Sequence, residues 1–354
     1  MVKMQHQPEL TEVRDAHRLD LNRLGGYLAE YLPQISNELS ARQFKHGQSN
    51  PTYLLRSGDH TFVLRKKPPG KLLRGAHLVE REFRVISKLS ALDFPVPGTL
   101  HLCENDSIIG TAFYVMEYVS GGIYQDITLP RMNPEERSAI YVSMARVLAQ
   151  LHGINWKATG LADYGKHGNY IRRQIALWSH QYEATKTEEI DDMNWLMAWL
   201  PENIPSGDET TLVHGDYRLG NIILAPNEPQ VAAVLDWELS TLGHPLTDLA
   251  YNCLAYHLPV EMKNPPGLIG VNLSELGIPH EKDHIAAYCR AAGREERIPN
   301  WSFYIIFSMF RLASISQGVY ARALQGNASA SNAMEFGERT KQLARRSIEI
   351  METG

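Results

Sequence analysis

Three polar residues in one short stretch have the types and spacing that phosphoryl transfer requires. From Leu212 to Ala250 the chain reads LVHGDYRLGNIILAPNEPQVAAVLDWELSTLGHPLTDLA. Asp216 and Asn221 lie five residues apart in one loop. Asp236 ends the second of two β-type runs, NIIL and VAAVLD, which flank Pro226-Asn227. A carboxylate near an exposed strand end can accept the proton of a substrate hydroxyl. A second carboxylate and an amide oxygen are hard ligands that suit Mg2+. In the phosphoryl-transfer template catalysis is mostly positioning plus charge neutralisation. There Asp216 takes the hydroxyl proton, and Asn221 and Asp236 hold metal that bridges the nucleotide phosphates.

Such residues need elements to aim them, and the pattern of the chain supplies two kinds. Leu21, Leu24, Leu28 and Tyr31 repeat at helical spacing before Pro33 and predict a first amphipathic helix. The runs TYLLRS and HTFVLRKKPPG around Gly58-Asp59 predict a hairpin. Val79, Phe83, Ile86 and Leu89 predict a helix over 76–90, and strand-like runs follow around 99–103 and 112–119. From residue 133 the regime is helical. Asn133, Pro134 and Glu136 form a helix start, Ile140, Met144, Val147 and Leu151 an apolar stripe, and Gly153 a stop. Ile171, Ile175, Trp178 and Tyr182 mark another helix, and helical spacing returns over 246–352. The reading is α+β: a small β-rich lobe at 1–119, and a larger, mainly helical lobe at 120–354 that carries the loop of Asp216.

His214-Gly215-Asp216-x4-Asn221 followed by Leu235-Asp236-Trp237 resembles the aminoglycoside-phosphotransferase and choline-kinase group of small-molecule kinases, relatives of protein kinases. The protein-kinase version reads H-R-D-x-x-x-x-N and then D-F-G. Here Gly215 replaces the Arg and Trp237-Glu238 replaces Phe-Gly. No A-P-E follows, which argues against a protein-kinase activation segment. The resemblance covers about residues 40–320 and implies a bilobal protein-kinase-like fold with ATP, or another nucleoside triphosphate, between the lobes and Mg2+ as metal. Arg65, closing FVLR, matches the cation on the phosphates, with Lys67 as its competitor on the same strand face. Glu82 matches the helix carboxylate that pairs with it. Ser49 and Asn50, in HGQSN, match the phosphate-covering turn. The Glu117 carbonyl and Val119 N–H match the adenine contacts, with Met116 behind them. Within the group, QFKHGQSNPTYLL, VLRKKPPGKLL and LDWELSTLGHPLTDLAY are similar to the kinase-like proteins related to a domain fused to some acyl-CoA dehydrogenases. That subgroup implies a hydroxyacyl-CoA acceptor.

Each residue also has a plainer reading. Arg65 and Glu82 fit solvated charge on a strand end and a charged helix face. Residues 46–50 fit a simple hairpin turn. Arg218 can meet a substrate anion, meet a phosphate or form a local salt bridge. Asp248, with His244, reads as a tie between the catalytic loop and the next helix. The aromatics Trp301, Phe303, Tyr304, Phe307 and Phe310 read as core.

Composition limits the partners. The 354 residues carry 35 Lys+Arg and 40 Asp+Glu, with 44% hydrophobic residues, an ordinary globular balance. Residues 1–119 hold 15 basic against 13 acidic side chains, and the remainder 20 against 27. No basic run suits a nucleic-acid backbone. Cys103, Cys253 and Cys289 are too scattered for a disulfide framework and read as reduced thiols. The apolar run Phe303–Ile315 is broken by Ser308 and Arg311, which makes it a buried helix and no membrane span. The expectation is a cytoplasmic small-molecule kinase acting on a hydroxyl acceptor, without nucleic-acid or membrane partners. The acceptor is either a hydroxyacyl-CoA or an aminoglycoside-like amino alcohol; the acidic second lobe favours the cation, the subgroup motifs the acyl-CoA. The competing expectation is a kinase-like module that binds nucleotide without turnover.

Overall fold

The computed structural model describes residues 9–36, 38–45, 50–68, 77–262, 265–326 and 332–353. In chain order the elements are β1 (Leu10–Thr11), α1 (Leu21–Ala29), β2 (Ser40–Phe44), β3 (Thr52–Ser57), β4 (His60–Lys66), α2 (Val79–Ser90), β5 (Thr99–Cys103) and β6 (Phe113–Glu117). There follow α3 (Pro134–His152), α4 (Tyr170–Thr185), α5 (Asp191–Glu202), β7 (Thr211–Val213), β8 (Ile222–Leu224), β9 (Val231–Val234) and β10 (Thr241–Gly243). The chain closes with α6 (Pro245–Cys253), α7 (Leu273–Leu276), α8 (Glu281–Ala292), α9 (Trp301–Leu324) and α10 (Phe336–Thr353).

Two compact units emerge. One holds Met1–Gln125 with Leu219–Leu239, the other Asp126–Arg218 with Ser240–Gly354. The hairpin of β8 and β9, with Asn221 and Asp236 at its ends, therefore belongs with the β-rich unit.

In the first unit the sheet runs β1-β2-β3-β4-β6-β5 with every neighbouring pair antiparallel. Strand alternation sorts its side chains onto two faces. Tyr53, Leu55, Phe62, Leu64, Phe113 and Val115 join Leu24 and Leu28 of α1 in one core. Arg65 and Tyr114, one residue out of phase, turn to the face where α2 buries Val79, Val85, Ile86 and Leu89. The hairpin turn is made at Gly58, whose φ of 56° suits glycine. Gly121 allows the β8–β9 hairpin to attach to this unit. A Cβ there would lie 2.2 Å from the Leu224 carbonyl oxygen. Without it, Gly122 and Leu224 exchange backbone hydrogen bonds of 3.0 and 2.9 Å.

In the second unit α3 begins with a complete capping box. The Asn133 side chain accepts from the Glu136 N–H at 2.8 Å, and the Asn133 N–H donates to the Glu136 carboxylate at 2.9 Å. Helix α9 packs against α4, α6 and α10. It buries Phe303, Tyr304, Phe307 and Phe310, as a helix apolar on most sides must. Among the described residues no helix is long and apolar enough to cross a membrane.

Candidate active site

In the first unit a buried guanidinium gathers three carboxylates. Arg65 Nε lies 2.9 Å from Glu82 Oε2, while Nη2 lies 2.6 Å from Asp236 Oδ1 and 3.6 Å from Glu238 Oε2. The Nε–H is not aimed at Glu82, so that contact is an ion pair without a directed hydrogen bond. Glu82 is fixed from two more sides, by Asn50 Nδ2 at 2.8 Å and the Tyr114 hydroxyl at 3.2 Å. Asn50 is itself buried and held by His77 Nδ1 at 2.9 Å. Lys67 leaves the strand and pairs with Glu80 at 2.9 Å.

The charges are unequal, and the protonation behaviour follows. Burial pushes the Glu82 carboxyl up to about 7; Arg65 pulls against this, while Asp236 and Glu238 add to it. Burial alone would lower Arg65, but Glu82, Asp236, Tyr114 and Glu238 together outweigh it and hold the guanidinium charged. Glu82 thus shifts upward chiefly through burial, and Arg65 through the acids that surround it.

Register brings Asn221 and Asp236 to the same end of their hairpin. Ile222 opposes Val234, and the Leu235 N–H donates to the Asn221 carbonyl at 2.8 Å. Asp236 follows at once with φ of 66°, a left-handed turn unusual for a side chain with a Cβ. The buried Trp237 anchors this bend by donating to the Val234 carbonyl at 3.0 Å and packing edge-on against Phe94.

These donors suit Mg2+. The cluster is rich in negative charge, and Asp236 spends one carboxylate oxygen on Arg65. Among the described residues no three His, Cys, Asp or Glu side chains form a group that could hold a metal alone. Mg2+ takes one or two carboxylates and completes its octahedron with phosphate and water oxygens.

Asp216 lies in the second unit, in the loop that leaves β7. Strand β10 pairs with β7, Val213 opposite Thr241, and leads into α6. Asp248 in the first turns of α6 accepts from the His214 N–H at 2.5 Å and the Gly215 N–H at 2.8 Å. Burial would raise the Asp248 carboxyl, but hydrogen bonds and charge from His152 and His214 outweigh it and hold it below its usual range. Gly215 has φ of 85°, a conformation the Arg of H-R-D would adopt only with strain. The Tyr217 hydroxyl donates to the Met144 carbonyl at 2.9 Å, and Asn252 Nδ2 donates to the Tyr217 carbonyl at 3.3 Å. Asp216 is thus presented by a loop clamped from several helices. Its N–H donates to His214 Nδ1 at 3.1 Å, and Arg218 Nε lies 3.4 Å from Oδ2. Burial, and then the charge of Asp216, push the Tyr251 hydroxyl up.

The structure therefore brings Arg65, Glu82, Asn50 and Asp236 together in one cluster and places Asn221 beside Asp236 by register. It places Asp216 in the other unit. Met116 is buried on β6, Glu117 donates its N–H to the Gly98 carbonyl at 2.8 Å, and Val119 follows in non-strand chain. Ser49 and the rest of the 46–49 turn lie outside the described residues, as do 69–76. Asp248 is the tie its position suggested. Sequence reasoning missed Glu238, Tyr114 and Tyr251 at these sites, because isolated acids and tyrosines carry no spacing signal. It passed over Arg311, visible as a lone cation in an apolar run. Arg311 Nη2 donates to the Gly215 carbonyl at 2.7 Å.

The fold is the protein-kinase-like α+β fold of small-molecule kinases. A sequence model described as the phosphotransferase enzyme family matches residues 40–266, and the chain belongs to that family. Acyl-CoA dehydrogenase family member 10 of Mus musculus is 46% identical over 338 residues, covering 95% of this chain and 32% of that protein. The chain thus spans about a third of that relative. The crystal structure of an aminoglycoside-phosphotransferase-like protein from Ralstonia eutropha is 44% identical, with a TM-score of 0.86 over 95% of this chain and 99% of the other. A choline kinase from Cryptosporidium parvum, 14% identical, shares the fold with a TM-score of 0.61 over 95% of this chain and 97% of its own.

Proposed function

We propose that the chain is an ATP- and Mg2+-dependent kinase that moves the γ-phosphoryl group to a hydroxyl of a small molecule. The observation that carries this is the convergence on Arg65 of Glu82 from α2 and Asp236 from the β9 end, with Asn221 in register beside it. Arg65 steadies the nucleotide phosphates, and Glu82, braced by Asn50 and Tyr114, orients Arg65. The Glu117 carbonyl, the Val119 N–H and Met116 take the adenine, and Ser49 serves the phosphates. Asn221 and Asp236 hold Mg2+, which neutralises charge on the phosphate oxygens when bound. Asp216 accepts the proton of the acceptor hydroxyl. The nucleotide-handling residues lie in residues 1–119 and the 219–239 hairpin, and the acceptor belongs with the helical part of 120–354. Hydroxyacyl-CoA compounds and amino alcohols are the two acceptor classes; the name of the Mus musculus relative supports the first.

Product formation from ATP over a panel of hydroxylated metabolites tests the reading. Asp216→Asn should lower kcat by about a thousandfold or more while the thermal melt stays unchanged. Full turnover in that variant sinks the role of Asp216. Nucleotide-dependent stabilisation with no product on any acceptor favours a binding module instead.

A further inference from the structure

Close to Asp216, within the same unit, one guanidinium is held without an acid. Arg311, half-buried in the middle of α9, has its Cζ 5.6 Å from the Trp178 ring and 5.2 Å from the Tyr251 ring. Nη2 is spent on the Gly215 carbonyl, the residue before Asp216. Nε is buried without a hydrogen-bond partner, and no carboxylate lies within salt-bridge distance of Arg311 among the described residues. Most half-buried cations have an acid beside them, because an unpaired charge out of water is costly. The two rings offset part of that cost through their π faces and fix the direction of the fork. Burial and then the charge of Asp216 push the Tyr251 hydroxyl up, so the ring that faces the guanidinium also feels the carboxylate. Arg218, whose side chain is exposed, adds a second guanidinium beside Asp216.

We propose that Arg311 is a specificity-determining residue for the acceptor, its fork taking an oxyanion (carboxylate or phosphoryl) of the molecule whose hydroxyl faces Asp216. The proposal rests on Asp216 being the proton acceptor for that hydroxyl. Arg311 Nε is enclosed, but Nη1 takes part in no hydrogen bond among the described residues, and an N–H edge of a planar guanidinium matches an oxyanion in geometry and charge. A cationic amino alcohol set against the Arg311 guanidinium would meet a like charge there. The net acidity of the second lobe therefore does not describe the surroundings of Asp216, where Arg311 and Arg218 balance Asp216 and Asp248. Of the two acceptor classes, the anionic one fits.

The test separates acceptor chemistry from nucleotide chemistry. Wild-type protein is assayed with ATP against hydroxycarboxylates, hydroxyacyl-CoA thioesters, neutral polyols and amino alcohols. Anionic acceptors should lead, with hydroxycarboxylates against CoA thioesters telling which oxyanion is read. In Arg311→Gln the KM for the best anionic acceptor should rise about tenfold or more, with Arg311→Lys between it and wild type and the ATP KM within about twofold. Binding of that acceptor, followed without turnover by the fluorescence of Trp178, should weaken in parallel. A preference for amino alcohols overturns the proposal. So does a rise in ATP KM alone, or an equal loss on anionic and neutral acceptors, which marks Arg311 as a brace for Gly215 only. Failure of phosphoryl transfer on every acceptor, with oxyanion binding still lost in Arg311→Gln, instead removes the kinase reading and keeps the oxyanion site.

Discussion

Replacing Asp248 with Asn should loosen the catalytic loop, and the structure sets the size of the effect. The two carboxylate oxygens accept from different backbone groups, Oδ2 from His214 at 2.5 Å and Oδ1 from Gly215 at 2.8 Å. An amide has one oxygen, so in either orientation its NH2 faces a backbone N–H. One bond to a charged acceptor, worth about 1.5–3 kcal/mol, is lost. The other falls to neutral strength, roughly half. The His152 Nε2 contact at 3.5 Å also loses its acceptor charge. Removing a buried charge returns part of this, and a net loss of about 3 kcal/mol remains. For a unit of about 200 residues that is a fall in Tm of roughly 6–12 °C. Amide exchange at His214 and Gly215 should speed up about a hundredfold, the equivalent of the same free energy. The assays are a thermal melt and residue-resolved hydrogen exchange on the full chain. A Tm within about 2 °C of wild type, with exchange at both amides unchanged, would refute the clamp.

Acid should destabilise the second unit through two buried histidines. Burial lowers His244 and His284 from 6.5 to about 4. The unfolded chain therefore binds protons below about 6.5 that the native state refuses until about 4, so stability is full above that window and falls through it as pH drops. The slope approaches about 1.4 kcal/mol per pH unit for each histidine. His284 donates through Nε2 to Asn252 Oδ1 at 2.7 Å, and a protonated Nδ1 would stand unpaired in the core. His284→Gln should remove about half the slope in urea titrations between pH 6 and 4.5; an unaltered slope contradicts the assignment. Gly121→Ala should cost roughly 2–4 kcal/mol, because its Cβ meets the Leu224 carbonyl at 2.2 Å and its φ of 151° suits glycine. An unchanged melt would show that the hairpin of β8 and β9 does not depend on this close approach.

Much of the scaffold was legible in local pattern. The capping box at Asn133 and Glu136, the Gly58 turn and the strands around it are short-range features, decided by neighbours within a few residues. Helix α2 starts at Val79, later than the periodicity from 76 suggests, and β6 stops at Glu117. Helix α5 was passed over, although Met193, Leu196 and Leu200, which it buries, stand at helical spacing; Trp195 and Trp199 on its other side blur the stripe. Strands β7 and β10 are three residues each and exist only because they pair across the loop of Asp216. The short strand β1 likewise depends on β2.

By itself the sequence determined which chemical groups are present and their order: a strand-end cation, a helix acid, a loop carboxylate, an amide and a second carboxylate. Chain order and residue type survive any folding, so a template built on them can be read directly. Only the tertiary structure decided who touches whom. It chose Arg65 for Glu82 and Asp236, and gave Lys67 to Glu80, because β4 ends at Lys66 and Lys67, past the strand end, meets a different carboxylate of α2. It attached the 219–239 hairpin to the β-rich unit through Gly122 and Leu224. It also carried Arg311, 95 residues after Asp216, to the carbonyl beside it. Contacts across such separations depend on how whole helices pack, and no local pattern encodes them.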